Sequence, residues 1–443
     1  MLAPSFVREM AMRRALDSLV RLPCVVLLSV MALSACGGSG GSTDTPPHDD
    51  VPVNELRSNK QRITSPVVSS DDAATLANDN LAFSVDLYLA LRSSNPGNFV
   101  YSQTSISTAL AMLYAGAGTT TAAQMADTLH FSLPAPRLHA AFNALDLALT
   151  TAPPADNAAA FRLDIANSIW VQDGLTVLPA YLDMLAENYD AGLYPQNFAS
   201  APEPARQVIN GWVANATEDQ IPTLFPAGSI DTLTRLVLAN AVYFHGDWKV
   251  PFRKDSPNAV FHALTRDVSV PTMHGDHNAG IWSGPGWNAG ALDYVGGTTS
   301  MIVVVPDSGT FGDFEAGLTP ELLGAILSAA QPSGGADLVM PRFEFATEVL
   351  LKDTLSALGM PDAFSDGADF SGIDGARDLR VQSVIHKAII AVDEKGTTAS
   401  AATGISVGVV SLPPTLFVDR PFLFFIRHNP TGAILFQGRV VDP

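Results

Sequence analysis

Few residues in this chain are placed to do chemistry. Its 443 residues include nine histidines and two cysteines, Cys24 and Cys36, so the sequence beyond residue 36 has no disulfide, thiol nucleophile or thiolate metal site. Only Met273-His274-Gly275-Asp276-His277 brings two histidines close. His-x-x-His without a completing carboxylate motif is a weak metal signal. Gly37-Gly38-Ser39-Gly40-Gly41 fits the G-x-S-x-G pattern of serine hydrolases. That pattern positions a nucleophile only where a strand turns sharply into a helix, and here it lies in linker composition. No phosphate loop, dinucleotide fingerprint or His-Glu-x-x-His is present. The expectation is a non-enzyme with no cofactor and no resident metal.

A second kind of chemistry is that of being cut. From Gly396 to Val418, 23 residues pass without a charged side chain. Odd positions carry Thr397, Ala399, Ala401, Thr403, Ile405, Val407 and Val409; even positions carry Thr398, Ser400, Ala402, Gly404, Ser406, Gly408 and Val410. The odd set is the more branched and apolar, which is the alternation of a strand with one buried face. Yet so much Gly, Ala and Ser holds a strand poorly, and Pro413-Pro414 ends any ladder. The stretch reads either as a plain flexible loop or as a segment able to move between loop and sheet.

The N-terminus carries an address. Arg8, Arg13, Arg14 and Arg21 precede a short apolar run from Leu22 to Ala35, the layout of a signal peptide over 1–35, with Met10 or Met12 as alternative starts. The run is too short for a lasting membrane span, which takes about 20 residues. Leu33-Ser34-Ala35-Cys36 resembles the bacterial lipoprotein box, which implies acylation of Cys36; an ordinary signal cut nearby is the alternative. Residues 36–72 then read as an acylated cysteine plus a flexible tether.

The elements that would position the uncharged segment lie in the remaining body, 73–443. Asp71-Asp72 caps a helix with Leu76, Phe83, Leu87 and Leu91 on one face, stopped at Asn95-Pro96-Gly97. Helices are also expected from about Thr104 and near 119–130, 134–150, 179–189, 203–217, 319–330 and 348–358. Strands are expected at 161–171, 233–244, 299–305, 379–393, 417–427 and 432–441, the last two joined by a turn at Asn429-Pro430-Thr431-Gly432. Helices early and strands late point to an α+β body. With 47% apolar residues the chain is not mostly disordered. A net charge of −19 argues against nucleic acid or a heparin-like polyanion as partner.

Several stretches together resemble the serpin family. Val392-Asp393-Glu394-Lys395-Gly396-Thr397-Thr398-Ala399-Ser400-Ala401-Ala402-Thr403 is similar to the hinge of inhibitory members, and Asp419-Arg420-Pro421-Phe422-Leu423-Phe424-Phe425-Ile426-Arg427 to the strand after their reactive loop. Asn240-Ala241-Val242-Tyr243-Phe244-His245-Gly246-Asp247-Trp248 resembles the family's Asn-x-x-Tyr-Phe-Lys-Gly-x-Trp. Ser102 to Gly118, Met301 to Pro306 and Ser383 to Ala388 add matches in family order. Two departures stand out: Gln103 where the family usually has proline, and His245 for lysine.

The resemblance implies a serpin fold of about nine helices around three β-sheets, with an exposed reactive-centre loop over about 396–415, acting as a monomer. It implies a suicide substrate for a serine protease, whose loop enters the central sheet after acyl-enzyme formation. The hinge would be Glu394, Gly396, Thr397, Thr398, Ala399, Ser400, Ala401 and Ala402. The family's spacing from Glu394 puts the scissile bond at Val410-Ser411, with Val409 or Ser411 as the acyl residue if the register slips by one. Valine suits the shallow apolar pocket of an elastase-like enzyme, and the lack of Lys or Arg from Gly396 to Val418 disfavours a trypsin-like target. Ser102, Ser105, Asn240 and His386 would form a polar shutter beneath the opening strands, with Trp248 and Glu394 at the breach above it. The setting implied is the cell envelope, lipid-anchored to the outer membrane, or the extracellular space after release. A non-inhibitory binding or carrier module is the alternative.

Overall fold

The computed structural model describes residues 54–150, 160–253, 257–332, 334–397 and 413–443. The expected helix at 70 shows how local signals set an element. Helix α1 (Ser70–Ser94) buries Leu76, Phe83, Leu87 and Leu91 along one stripe and stops at Asn95. Its cap is Ser69, whose hydroxyl accepts from the Asp72 amide, and not the Asp71-Asp72 pair. Asp72 is instead taken up by the Arg137 guanidinium, which holds its carboxyl below the ordinary range.

Nine further α-helices follow among the described residues: α2 (Gln103–Tyr114), α3 (Thr119–Thr128), α4 (Ala135–Thr150), α5 (Pro179–Tyr189), α6 (Pro202–Ala216), α7 (Phe311–Ala316), α8 (Pro320–Ser328), α9 (Leu351–Leu358) and α10 (Ser371–Asp374). The helix expected from 348 starts at 351. Residues up to Leu350 continue as strand because Leu350 still pairs with Ile385.

Three sheets carry the fold. Sheet A runs in the order β11 (Phe343–Leu350), β12 (Ser383–Val392), β13 (Gly396–Thr397), β4 (Leu236–Asp247), β2 (Phe161–Gln172), β3 (Leu193–Gln196). Sheet B runs β1 (Phe99–Tyr101), β16 (Ile434–Val440), β15 (Phe422–His428), β9 (Thr299–Pro306), β8 (Trp287–Asp293), β7 (Gly280–Gly284). Sheet C runs β14 (Thr415–Phe417), β10 (Asp337–Pro341), β6 (Asp267–His274), β5 (Asn258–His262). The strand expected over 417–427 is thus two strands in two sheets, parted at Asp419-Arg420-Pro421.

Apolar side chains gather in three cores. The largest joins one face of sheet B to α1, α2, α4 and α8. A second lies between sheets A, B and C around Phe244, Trp248, Tyr294 and Phe424. A third packs α6 on the outer face of sheet A around Trp170, Ile209, Val213 and Ile385.

The tether expected over 36–72 does not stay clear of the body where it is described. Leu56 exchanges two backbone hydrogen bonds with Leu193 at the outer edge of sheet A, 2.7 and 2.9 Å. Arg57 pairs with Asp190, and the Ile63 amide donates to the Glu187 carbonyl. The Arg62 Nε donates to Asn143 Oδ1 at 2.9 Å, and its Nη2 meets Asp146 at 2.7 Å. Residues 54–69 are a strap lying on β3, α5 and α4.

Candidate functional site: an open seam in sheet A

The centre of sheet A is a seam between β4 and β12. Both rise in the same direction and pair in parallel from Ser383↔Val237 to Ala388↔Val242, six residue pairs. Above Ala388 and Val242 that pairing ends. At the head of the seam the chain leaves β12 at Val392, turns through Asp393-Glu394-Lys395, and re-enters as β13. Thr397 lies opposite Val392 on one side and Gly246 on the other.

Small residues are required at this point. A Cβ on Gly396 would collide with the Gly246 carbonyl and lie 2.6 Å from the Asp247 Cα. Thr397 is 1% exposed, and its Oγ1 bonds the Tyr294 hydroxyl at 2.8 Å. The turn is held from several sides. Asp393 Oδ1 accepts from the Lys395 and Gly396 amides at 2.8 and 3.2 Å. The Trp248 indole donates to the Asp393 carbonyl at 2.9 Å, its backbone N–H donates to the Lys395 carbonyl at 2.6 Å, and its ring stacks on Tyr294. Glu394, half-buried, receives the Arg342 Nε at 2.8 Å, and its carbonyl accepts from Phe252.

Below the head, Ser102, Ser105, Asn240 and His386 meet as one hydrogen-bonded cluster. The Ser102 amide donates to His386 Nε2 at 3.0 Å. That fixes the proton on Nδ1, which donates to Asn240 Oδ1. The Asn240 amide nitrogen donates to Ser105 Oγ at 2.6 Å and also to Asn167 Oδ1. Ser105 Oγ donates in turn to Asn167 Oδ1 at 3.1 Å. Burial pushes the His386 pKa down to about 3, so the imidazole is neutral and bridges β12 to β4. Asn167 is the member that sequence reasoning missed. Its signal was a lone amide in the apolar run Ile165-Ala166-Asn167-Ser168-Ile169.

The two departures keep good contacts. Gln103 is buried and donates from Nε2 to Asn80 Oδ1 at 3.0 Å. His245 Nε2 lies 3.6 Å from Asp247 Oδ1, on a strand whose Asp247 carboxyl is raised by burial. His274 and His277 lie at one end of sheet C, and His277 Nδ1 bonds the Gly335 carbonyl. No group of three metal-ligating side chains occurs among the described residues. Thr398, Ala399, Ser400, Ala401, Ala402, Val410, Ser411 and Cys36, with the expected signal segment 1–35, lie outside the described residues.

A three-sheet body whose own chain starts a strand inside an incompletely closed central sheet defines a class of protein built to take up a further strand. The chain belongs to the serpin family. The family described as Serpin (serine protease inhibitor) matches residues 78–443. The chain is 37% identical over 379 residues to a leukocyte elastase inhibitor of Bos taurus, covering 82% of this chain and 98% of the relative. It is 36% identical over 385 residues to the Homo sapiens leukocyte elastase inhibitor, covering 83% and 99%. Among solved structures it is similar to Serpin48 of the insect Tenebrio molitor, with a TM-score of 0.74, 28% identity and coverage of 84% and 98%.

Proposed function

We propose that this protein inhibits an elastase-like serine protease as a suicide substrate. The observation that carries the reading is Thr397 seated between Val392 and Gly246 at the head of a seam whose strands otherwise pair directly. The target's serine Oγ attacks the Val410 carbonyl, the Ser411 amine leaves, and the freed segment follows Thr397 into sheet A. Antiparallel continuation of the register would set Ala399, Ala401, Thr403 and Ile405 beside Phe244, Val242, Asn240 and Leu238. β4 is buried on both faces, and those positions lie on the face turned away from α6; the incoming residues are the apolar set of the alternation. Thr403 would come between His386 and Asn240 and replace their mutual hydrogen bond. One parallel ladder of six pairs is exchanged for two antiparallel ladders, which are the more stable per residue. A charge or a bulky group at an entering position costs several kcal/mol of unpaired burial. Thr397 and the alanines after it avoid that cost.

The leukocyte elastase inhibitors among the relatives support the choice of target, and Val410 as acyl residue agrees with it. Acylated Cys36 would hold the protein at the cell envelope on the outer membrane. Incubation with an elastase should give an SDS-resistant covalent complex whose mass places the acyl bond at Val410, and Thr397→Arg should turn the inhibitor into a substrate cleaved without complex. Clean turnover of the unaltered protein, or full inhibition by the Arg variant, would contradict the reading. Palmitate labelling that persists in Cys36→Ala would refute the anchor.

A further inference from the structure

The strap over 54–69 ends in a stretch whose backbone is unpaired. Ile63 is the last strap residue bonded to the body: its amide donates to the Glu187 carbonyl, and its carbonyl accepts from Asn143 Nδ2 at 2.7 Å. The next backbone bond belongs to α1, from the Ala73 amide to the Ser69 carbonyl. Between them, Thr64 to Val68 make no backbone hydrogen bond among the described residues. In this stretch Val67 is 97% exposed, the most exposed large apolar side chain among the described residues.

That combination is what a protease needs. Pro66 fixes its own φ near −65° and pushes Ser65 toward an extended backbone. A peptide recognised by strand addition must offer extended, unpaired main-chain groups. A branched, modest side chain then suits a shallow apolar pocket. Other exposed valines fail one requirement each. Val250 is followed by Pro251, which has no N–H to give, and Val260 is paired with Ser269 inside sheet C.

We propose that Val67-Val68 is a release site, cut by the same elastase-like class of protease that the reactive loop would trap. The inference rests on the function proposed above for the protease class and for the tether. The enzyme's serine Oγ attacks the Val67 carbonyl and the Val68 amine leaves. Water then hydrolyses the acyl-enzyme, giving a Val67 carboxylate and restoring the serine. Nothing arrests that second step. The severed strap lies at the outer edge of sheet A, where Leu56 already pairs with Leu193, and no open seam is there to take it up.

Before the cut, the strap is held because it is joined to α1. Its own contacts are few: the two Leu56–Leu193 backbone bonds, the Ile63 pair, and the Arg57, Ser58 and Arg62 side chains on Asp190, Asp183, Asn143 and Asp146. After the cut it must bind as a separate peptide, and those contacts then have to offset its whole translational and rotational freedom. The strap leaves and takes Cys36 with it. The body from Val68 onward keeps Thr397, the seam and the shutter, so a protease in excess converts a tethered inhibitor into a diffusing one.

The test incubates the full chain with elastase in molar excess and reads N-termini by sequencing and intact mass. A new N-terminus Val68-Ser69-Ser70-Asp71 should appear, and gel filtration should part the body from the severed strap. Val67→Asp sets a charge against an apolar pocket and should slow this cut about ten-fold or more, with an unchanged melting temperature showing that the variant is folded. Membranes carrying the full chain should release the body on treatment, and membranes carrying Val67→Asp should retain it. A cut elsewhere in 54–69, no Val68 end once every loop has reacted, equal cutting of Val67→Asp, or co-elution of strap and body would overturn the proposal. A protein already soluble before treatment would refute the anchor, and cleavage at Val410 without complex would refute the trap; the Val68 end forms in either case if the release site is correctly placed.

Discussion

At the scale of single residues, His386 links the seam to pH. Neutral, it accepts from Ser102 and donates to Asn240; charged, it would lose the lone pair that takes the Ser102 proton. Its pKa of about 3 in the fold lies below the ordinary value of 6.5. Between these values the unfolded chain binds the proton and the folded one does not. Stability is therefore full above about pH 6.5 and is lost as pH falls toward 3. His139, held down to about 4 by burial, acts with the same sign. His386→Gln should melt lower than the unaltered protein at pH 7 but lose less on acidification to pH 4. Parallel melting-temperature curves for the two would remove His386 as the cause. Asn167 belongs to the same bonded group, and nothing in its neighbours along the chain tells that it faces Asn240. That contact is a product of strand pairing, and pairing partners are not written locally.

At the scale of elements, the strap over 54–69 turns an expected tether into part of the body. Arg62 reaches Asn143 and Asp146 from a half-buried position, and charged hydrogen bonds of this kind contribute roughly 1.5–3 kcal/mol. Arg62→Ala should lower the melting temperature by several degrees, on the scale of about 2–4 °C per kcal/mol; no change in calorimetry would mean the strap rests on the surface without supporting it. The elements most legible in the sequence were the amphipathic helices α1, α5 and α6, where an apolar residue returns every turn. Less legible were strands such as β8, Trp287-Asn288-Ala289-Gly290-Ala291-Leu292-Asp293, whose small residues carry neither alternation nor β-branching. There the neighbours impose the strand: Gly290 has Leu338 and Leu416 at 3.1 Å from where its Cβ would lie. In the site, the resemblance pointed to Ser102, Ser105, Asn240 and His386, which the structure brings together, and to Trp248 at the head of the seam; Thr398 to Ala402 of the expected hinge lie outside the described residues. Arg342 and Tyr294, which hold the turn and the first inserted residue, were not legible, since both act from distant strands.

At the scale of the whole molecule, the proposed insertion makes the intact fold a state short of its best. β12 offers ten residues to an incoming strand and β4 twelve, while β13 occupies two positions among the described residues. At about 0.5–1.5 kcal/mol net per backbone bond, completing the strand is worth on the order of 10 kcal/mol. Cleaved protein should therefore melt on the order of 20–40 °C above intact protein; superimposed scanning-calorimetry traces would contradict this. Sheet B has a consequence of a different kind. β1, near the start of the body, has β16 as its partner in the sheet, and β16, buried throughout, fills the space between it and β15. Phe99 and Tyr101 thus wait, during synthesis, for Arg439 and Gln437, made more than three hundred residues later. Sheet B can therefore close around β1 only after β16 has been made, which makes its assembly a matter of timing.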